Sequence, residues 1–567
     1  MGAGARPVAG AGRRDGDAVT GAPAAVRQGG PPAAPGAPAP LGRSLARAAA
    51  LTAGLTAAGA LCGLLRDRTL ARLFGAGSAT DAFLVAWTVP EMAATLLIEG
   101  AMALLLVPAF SRALAARAAA PGSPDDAADP VRALLRATLP RLSAALAGGS
   151  ALLAAGAPLL VRLLAPGLTD PAAAVDCTRL TALTVLTFGV TGYLSAALRA
   201  HRSFAAPAAI YVAYNLTIIG TTLALHADWG VRAAAAGVAL GGALMVVVQL
   251  PAFLRVLPPL RLRRAAAGGT APLPVAGLPV AGLPVAGLLA PVVCFTFGRQ
   301  AQVLVERFLA SGLPAGAISH LNYAQKVAQM PMVLSLMICT VTFPVVARAV
   351  ADGEAARAGR RIARDLTLAG LVVLLGAAYV AACAPQITGV LFERGAFTAA
   401  DTAATAAVMR VYALGLLGHS LAGALIRPFC AAGRPTWYPA GAMAAGLLVT
   451  AGAGPAAVRW WGAPGLAAAN AAGITTTAVL LLHGLGTRVV AVRVRRIAAG
   501  LGRLALAAAA AVAVGGPLAA LPADPLLGAA AGALLVPAVF AGTALAVRAP
   551  EVRHLLVVVK GKLADAR

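Results

Sequence analysis

Apolar runs near or above 20 residues recur along this chain about fourteen times, and a helix of that length crosses a hydrocarbon core about 30 Å thick. Inside such a core every backbone amide must find its partner within the chain, which leaves helices as the natural element for runs this long. The expected spans are 45–65, 80–108, 138–165, 178–198, 207–227, 233–256, 286–310, 317–347, 366–391, 402–427, 437–457, 464–485, 500–520 and 525–547. The fold class is therefore an all-α polytopic membrane protein. A composition with 59% hydrophobic and 12% charged residues excludes a soluble globule, whose charged fraction is about twice that.

The gaps between spans test this reading, because cytoplasmic loops carry the excess of Arg and Lys. One alternating set of gaps holds Arg112, Arg117, Arg132, Arg136 and Arg141, then Arg199 and Arg202, then Arg255, Arg261, Arg263 and Arg264. It continues through Arg357, Arg360, Arg361 and Arg364 to Arg493, Arg495 and Arg496, whereas the other set has mostly single arginines such as Arg232, Arg394 and Arg459. Both termini are thus expected in the cytoplasm. The net charge of +25 follows from this bias, so no nucleic-acid partner is expected.

Residues 1–43, rich in Ala, Gly, Pro and Arg, read as a disordered cytoplasmic tail. A first lobe of helices 1–6 is expected over 44–256, and a Pro/Gly/Arg linker with Gly-Leu-Pro-Val-Ala repeats over 257–285. A second lobe of helices 7–12 follows over 286–485, then helices 13 and 14 over 486–547 and a basic tail over 548–567. Paired bundles of this kind enclose a midplane cavity in many transporters. Pro90 and Gly100 interrupt span two, and Pro331 and Pro344 punctuate span eight.

Charges within or beside the spans mark candidate sites, since each is costly in hydrocarbon. They are Arg66, Asp67, Arg68, Arg72, Asp81, Glu91 and Glu99 in the first half, and Arg299, Glu306, Arg307 and Lys326 in the second. Arg68 and Arg72 sit where a long side chain can snorkel to the interface. Glu91 and Glu99, eight residues apart, are expected on one helical face, lining a cavity or held in an internal ion pair. Lys326 is the one lysine outside the C-terminal tail; its ammonium suits phosphate or carboxylate oxygens, or pairs with an acid of the other lobe. Asp67, Arg299 and Glu306 stand as further ion-pair or cavity positions.

No constellation for covalent chemistry appears, so the chain is not expected to be an enzyme. The six cysteines are scattered without metal-ligand spacing, and the six histidines are dispersed, with only His419 well inside a span as a weak proton-relay candidate. No metal or cofactor is expected. A coupling cation, Na⁺ or H⁺, or the membrane potential acting on the buried charges are the possible energy sources.

Arg66-Asp67, Ala71-Arg72, Phe74-Gly-Ala-Gly77, Thr80-Asp-Ala-Phe83, Pro90, Glu99-Gly-Ala101 and Val107-Pro108 together resemble the N-terminal signature of the MurJ/MviN lipid II flippases. Tyr323-Ala324 with Lys326 and Pro331, and Leu391-Phe-Glu-Arg-Gly-Ala-Phe-Thr398, resemble that family's eighth span and the loop after its ninth. The resemblance implies the fold of the multidrug and polysaccharide exporter superfamily: two six-helix lobes around a cationic cavity, plus two C-terminal helices lining a groove for a lipid tail. It implies a monomeric flippase of the bacterial cytoplasmic membrane, moving an undecaprenyl-diphosphate-linked peptidoglycan precursor by alternating access. Arg66 and Lys326 then match basic cavity positions and Asp81 an important acid, and Arg66, Asp81, Glu91, Glu99 and Lys326 are the expected substrate-binding residues of the cavity. The chain departs from the family at Ala60 and Ala94, where arginines are usual, at Glu91, where Asn is usual, and at Gln325, where an acid is usual.

Two other functions fit the same residues. One is export of a different lipid-linked or cationic amphiphilic compound, drawn by Glu91 and Glu99; the other is a non-transporting relative that binds cytoplasmic partners through its tails.

Overall fold

The computed structural model describes residues 43–119, 129–257, 283–335, 354–431, 436–488 and 492–549, and every regular element among them is a helix. The expected N-terminal tail, the repeat linker, residues 336–347 of the eighth span with Pro344, and the C-terminal tail lie outside the described residues, except at their edges.

In the first half the helices are α1 (Arg43–Phe74), α2 (Ser78–Ala93), a π-helical segment (Ala94–Ala101), α3 (Met102–Ala119), α4 (Pro130–Ala155), α5 (Ala157–Leu164), α6 (Pro171–Thr181), α7 (Thr184–Ala200), α8 (Ala205–Trp229) and α9 (Arg232–Val256). The second half holds α10 (Leu283–Ala310), α11 (Ala317–Ala328), α12 (Ala355–Ala382), α13 (Ala384–Phe392), α14 (Ala399–Ala431) and α15 (Tyr438–Arg488). Two C-terminal helices follow, α16 (Val494–Ala519) and α17 (Pro525–Ala546).

Local sequence explains where these helices begin and bend. Three of them, α4, α6 and α17, start at Asp-Pro: Asp129, Asp170 and Asp524 accept from backbone N–H groups of Val131, Ala173 and Leu526. Proline then fills the first helical position, where its missing N–H costs nothing. The third expected span is broken by a 69° bend between α4 and α5, where Gly156 precedes Ala157-Pro158. The ninth breaks at the corresponding place, where Cys383 precedes Ala384-Pro385.

A second device recurs in both halves. Gly230, between α8 and α9, has φ 53° and ψ −136°, and Gly462, inside α15, has φ 60° and ψ −136°. Only glycine adopts this conformation without strain, so α15 is a hairpin of two expected spans rather than one long rod. The two halves thus share punctuation that sequence alone did not align. Among the described residues nine helices are long and apolar enough to cross a membrane, or ten if α4 and α5 form one span; the expected number of fourteen is not established by them.

Packing within each half is dense. In the first, α8 lies along α9 and α7 against α3 and α9; in the second, α15 packs on α10 and α14. α16 and α17 pair with each other and lean on α12 and α13. Large apolar side chains such as Leu152, Leu159, Leu506 and Leu534 remain exposed, as expected for a surface solvated by lipid tails.

Candidate functional site

Three separated stretches meet at one end of the molecule. Arg72 accepts a backbone hydrogen bond from Ala396 at 2.9 Å. A Cβ on Gly75 would lie 2.5 Å from the Ala396 carbonyl oxygen, one on Gly395 2.4 Å from that of Arg72, and one on Gly316 2.6 Å from that of Ala76. All three glycines have φ between 65° and 97°, so both space and conformation require glycine there. Beside them Tyr323 packs on Phe392 and Phe397, with ring centroids 5.0 and 5.8 Å apart.

Asp81 fastens this contact between the halves. Its carboxylate accepts from the backbone N–H of Gly316 (2.7 Å) and Ser319 (2.8 Å) and from the Ser319 hydroxyl. The first N–H groups of a helix lack intrahelical partners, and α11 has no side-chain cap of its own. The carboxylate from α2 supplies one, favoured by the positive end of the helix dipole. Expected in the cavity, Asp81 instead is 4% exposed and serves as a clasp.

Arg66 departs from expectation in the same way. Its guanidinium donates to Asp67 (2.8 and 3.0 Å) and to Asn215 Oδ1 (2.8 Å), and lies 4.1 Å from the centre of the Trp87 ring. These partners come from α1, α2 and α8, so Arg66 and Asp67 are neutralised inside the first half. Arg68 is half-buried and Arg72 exposed, in keeping with interfacial placement.

Beneath the clasp, a cavity of about 280 Å³ is lined from both halves, by Thr88, Glu91, Met92 and Thr95 on one side and Arg299, Gln302, Lys326 and His419 among others on the opposite side. Lys326 Nζ donates to Glu91 Oε1, forming an ion pair across the cavity. Of the two alternatives left open for Lys326, pairing with an acid of the other lobe is the one observed. Arg299 reaches the same cavity and is exposed. Among the described residues it makes no hydrogen bond or close ion pair, and Glu99 is the acid whose charge acts on it.

Glu99 is not among the residues that line this cavity with Glu91. It lies on the π-helical segment Ala94–Ala101, whose wider turn holds one more residue than an α-helix would, and it accepts from the Tyr211 hydroxyl at 2.8 Å. The wide turn brings the Leu97 carbonyl against α7, where a Cβ on Gly192 would sit 2.3 Å from the oxygen.

Glu306 and Arg307 are both 3% exposed and point to different neighbours. Glu306 accepts from Tyr412 (2.7 Å) and Asn470 (2.8 Å), while Arg307 donates to the Ile318 carbonyl (3.3 Å) and Asn322 (3.2 Å). Among the described residues no group of three His, Cys, Asp or Glu side chains is placed to hold a metal ion.

Sequence reasoning missed the partners of these buried charges, although a signal existed. The chain has three asparagines, Asn215, Asn322 and Asn470, each inside a span, and they bond to Arg66, Arg307 and Glu306 respectively. Ser319 was likewise overlooked; Gly316-Ala-Ile-Ser319 carries the small polar residues typical of a helix start.

Comparison with known proteins covers most of this architecture. The profile of a family described as Lipid II flippase MurJ matches residues 70–520. A lipid II flippase MurJ of Burkholderia cenocepacia is 29% identical over 392 residues, 66% of this chain and 71% of that protein. A probable lipid II flippase MurJ of Bdellovibrio bacteriovorus is 27% identical over 463 residues, 78% of this chain and 82% of that protein. Among solved structures, a lipid II flippase MurJ in an inward closed conformation superposes with a TM-score of 0.69 at 19% identity, covering 86% of this chain and 98% of that one. An inward-facing multidrug resistance MATE family transporter of the MOP superfamily gives 0.58 at 14% identity, covering 80% and 99%. At these identities the structural likeness concerns the fold.

Proposed function

The chain belongs to the lipid II flippase MurJ family, a family of membrane transporters and not of enzymes, and from that premise we propose that it carries the headgroup of undecaprenyl-diphosphate-linked peptidoglycan precursor across the membrane by alternating access. The observation that carries this reading is a cavity lined by both halves and furnished with Lys326 and Arg299, below a contact between the halves held by Asp81. A diphosphate needs such cations, and moving it makes or breaks no bond. The arginine bias of the loops supports cytoplasmic termini, which puts the Asp81 clasp on the outer side and opens the cavity inward.

Export of a cationic amphiphile has less support, because Glu91 and Glu99 are each engaged by a protein partner. The membrane potential is the energy source we favour; at about 2.3 kcal/mol per charge per 100 mV, it acts on the charges of the cavity as the halves rock. We read the protein as a monomer that meets cytoplasmic partners through its tails.

The test is rescue of bacteria depleted of their lipid II flippase. Growth should return with the wild-type chain and not with Lys326→Gln. Failure of the wild type despite normal membrane insertion would sink the reading.

A further inference from the structure

The cavity cations and the cavity carboxylate belong to different halves of the molecule. Lys326 is on α11 and Arg299 on α10, both in the second half, whereas Glu91 is on α2 in the first. Of the ion pairs between described residues, Lys326–Glu91 is the one that joins the halves; Arg66–Asp67, Arg117–Asp129, Arg232–Asp176 and Arg361–Asp365 each stay within one. It is also accessible, with side-chain exposures of 31% and 41%, against 9% and 5% for Arg66–Asp67. Counted along α2, Glu91 lies ten residues beyond Asp81, or about 15 Å at 1.5 Å per residue, so the pair forms a second fastening below the clasp.

We propose that Glu91 is a built-in counter-anion standing where a headgroup phosphate binds, and that an anionic headgroup arriving on Arg299 and Lys326 displaces it and thereby unfastens the halves. This inference rests on the reading of the substrate as a lipid diphosphate. A carboxylate bound to Lys326 ties α11 to α2, while a phosphate shared by Lys326 and Arg299 ties α11 only to its own neighbour α10. The exchange is favourable because a diphosphate brings more charge and more acceptor oxygens than one carboxylate, and meets two cations instead of one. It also gives the substrate a differential affinity for the unfastened state, the condition for any ligand to shift a conformational equilibrium. Arg66 cannot substitute in this role, being committed to Asp67 and Asn215.

The experiment uses the full-length protein in lipid nanodiscs, titrated with undecaprenyl diphosphate, with nitroxides at Trp229→Cys and Trp460→Cys in a background lacking the native cysteines. Both positions are exposed, one in each half, in gaps of the arginine-poor set. Glu91→Gln, nearly isosteric, should tighten diphosphate binding on the order of tenfold, equivalent to about 1.4 kcal/mol, and should lengthen the nitroxide distances without any lipid. Lys326→Gln should lengthen the same distances yet weaken binding. Equal or weaker binding by Glu91→Gln, where the wild type binds, overturns the inference and leaves the substrate reading standing. Unchanged lipid-free distances in both variants overturn the fastening. Longer distances in both variants, with no diphosphate bound by any of the proteins, overturn the lipid-diphosphate reading and, with it, the displacing anion.

Discussion

The clasp at Asp81 and the ion pair at Glu91 both join the two halves through α2 and α11, yet they are built on opposite principles. At the clasp a buried carboxylate meets fixed backbone donors, flanked by glycines with no room for a Cβ and by three aromatic rings packed at tilted and edge-on angles. At the ion pair two flexible, half-exposed side chains meet in a cavity. The first is fixed in shape by backbone groups and glycines; the second is a contact that a soluble or lipid-borne anion can exchange. Alternating access requires both to part, and the difference says which is addressed by ligand chemistry.

Four substitutions probe that contrast, beginning with the largest effect. Arg66→Ala leaves Asp67 buried and unpaired and should destabilise the protein by about 3–5 kcal/mol; the double variant Arg66→Ala/Asp67→Ala should recover much of that loss in thermal unfolding. If both behave alike, the first half does not depend on this pair. Asp81→Ala removes a charged acceptor with three donors and should cost about 1.5–3 kcal/mol and abolish complementation, with Asp81→Asn retaining part of it. Gly395→Ala drives a methyl group toward the Arg72 carbonyl at positive φ; a loss of about 1–3 kcal/mol is expected, and a neutral result would show that the clasp is looser than its geometry. Glu99→Gln keeps an acceptor for Tyr211 on an exposed side chain and should shift stability by less than about 0.5 kcal/mol in thermal unfolding.

The same contrast governs what could be read from the sequence. Phe74-Gly-Ala-Gly77, Thr80-Asp-Ala-Phe83 and Phe392-Glu-Arg-Gly-Ala-Phe397 identify the family because the clasp needs those residues in those conformations. The spans themselves were also legible, from the length and recurrence of the apolar runs. Side-chain destinations were less legible. Arg66 and Asp81 looked like cavity groups because a charge in an apolar run signals a site; Asp67, the next residue, pairs with Arg66, but Asn215, Gly316 and Ser319, which complete the two sites, lie 149, 235 and 238 residues away, beyond any local pattern. Glu91 and Glu99 were expected together at a cavity or in an ion pair, but the partner of Glu99 is Tyr211, 112 residues away, and Glu91 alone of the two lines the cavity.

The π-helical segment Ala94–Ala101 holds one residue more than an α-helix of the same rotation would, which makes this stretch of the span tolerant of residue count. Removing any one residue between Ala94 and Ile98 would let the turn close to an ordinary α-helix and set Glu99 seven positions from Glu91, within about 20° of its bearing at 100° per residue. A single deleted codon there would therefore be absorbed without redirecting the charges on either side, whereas the same deletion elsewhere in the span would turn them by about 100°.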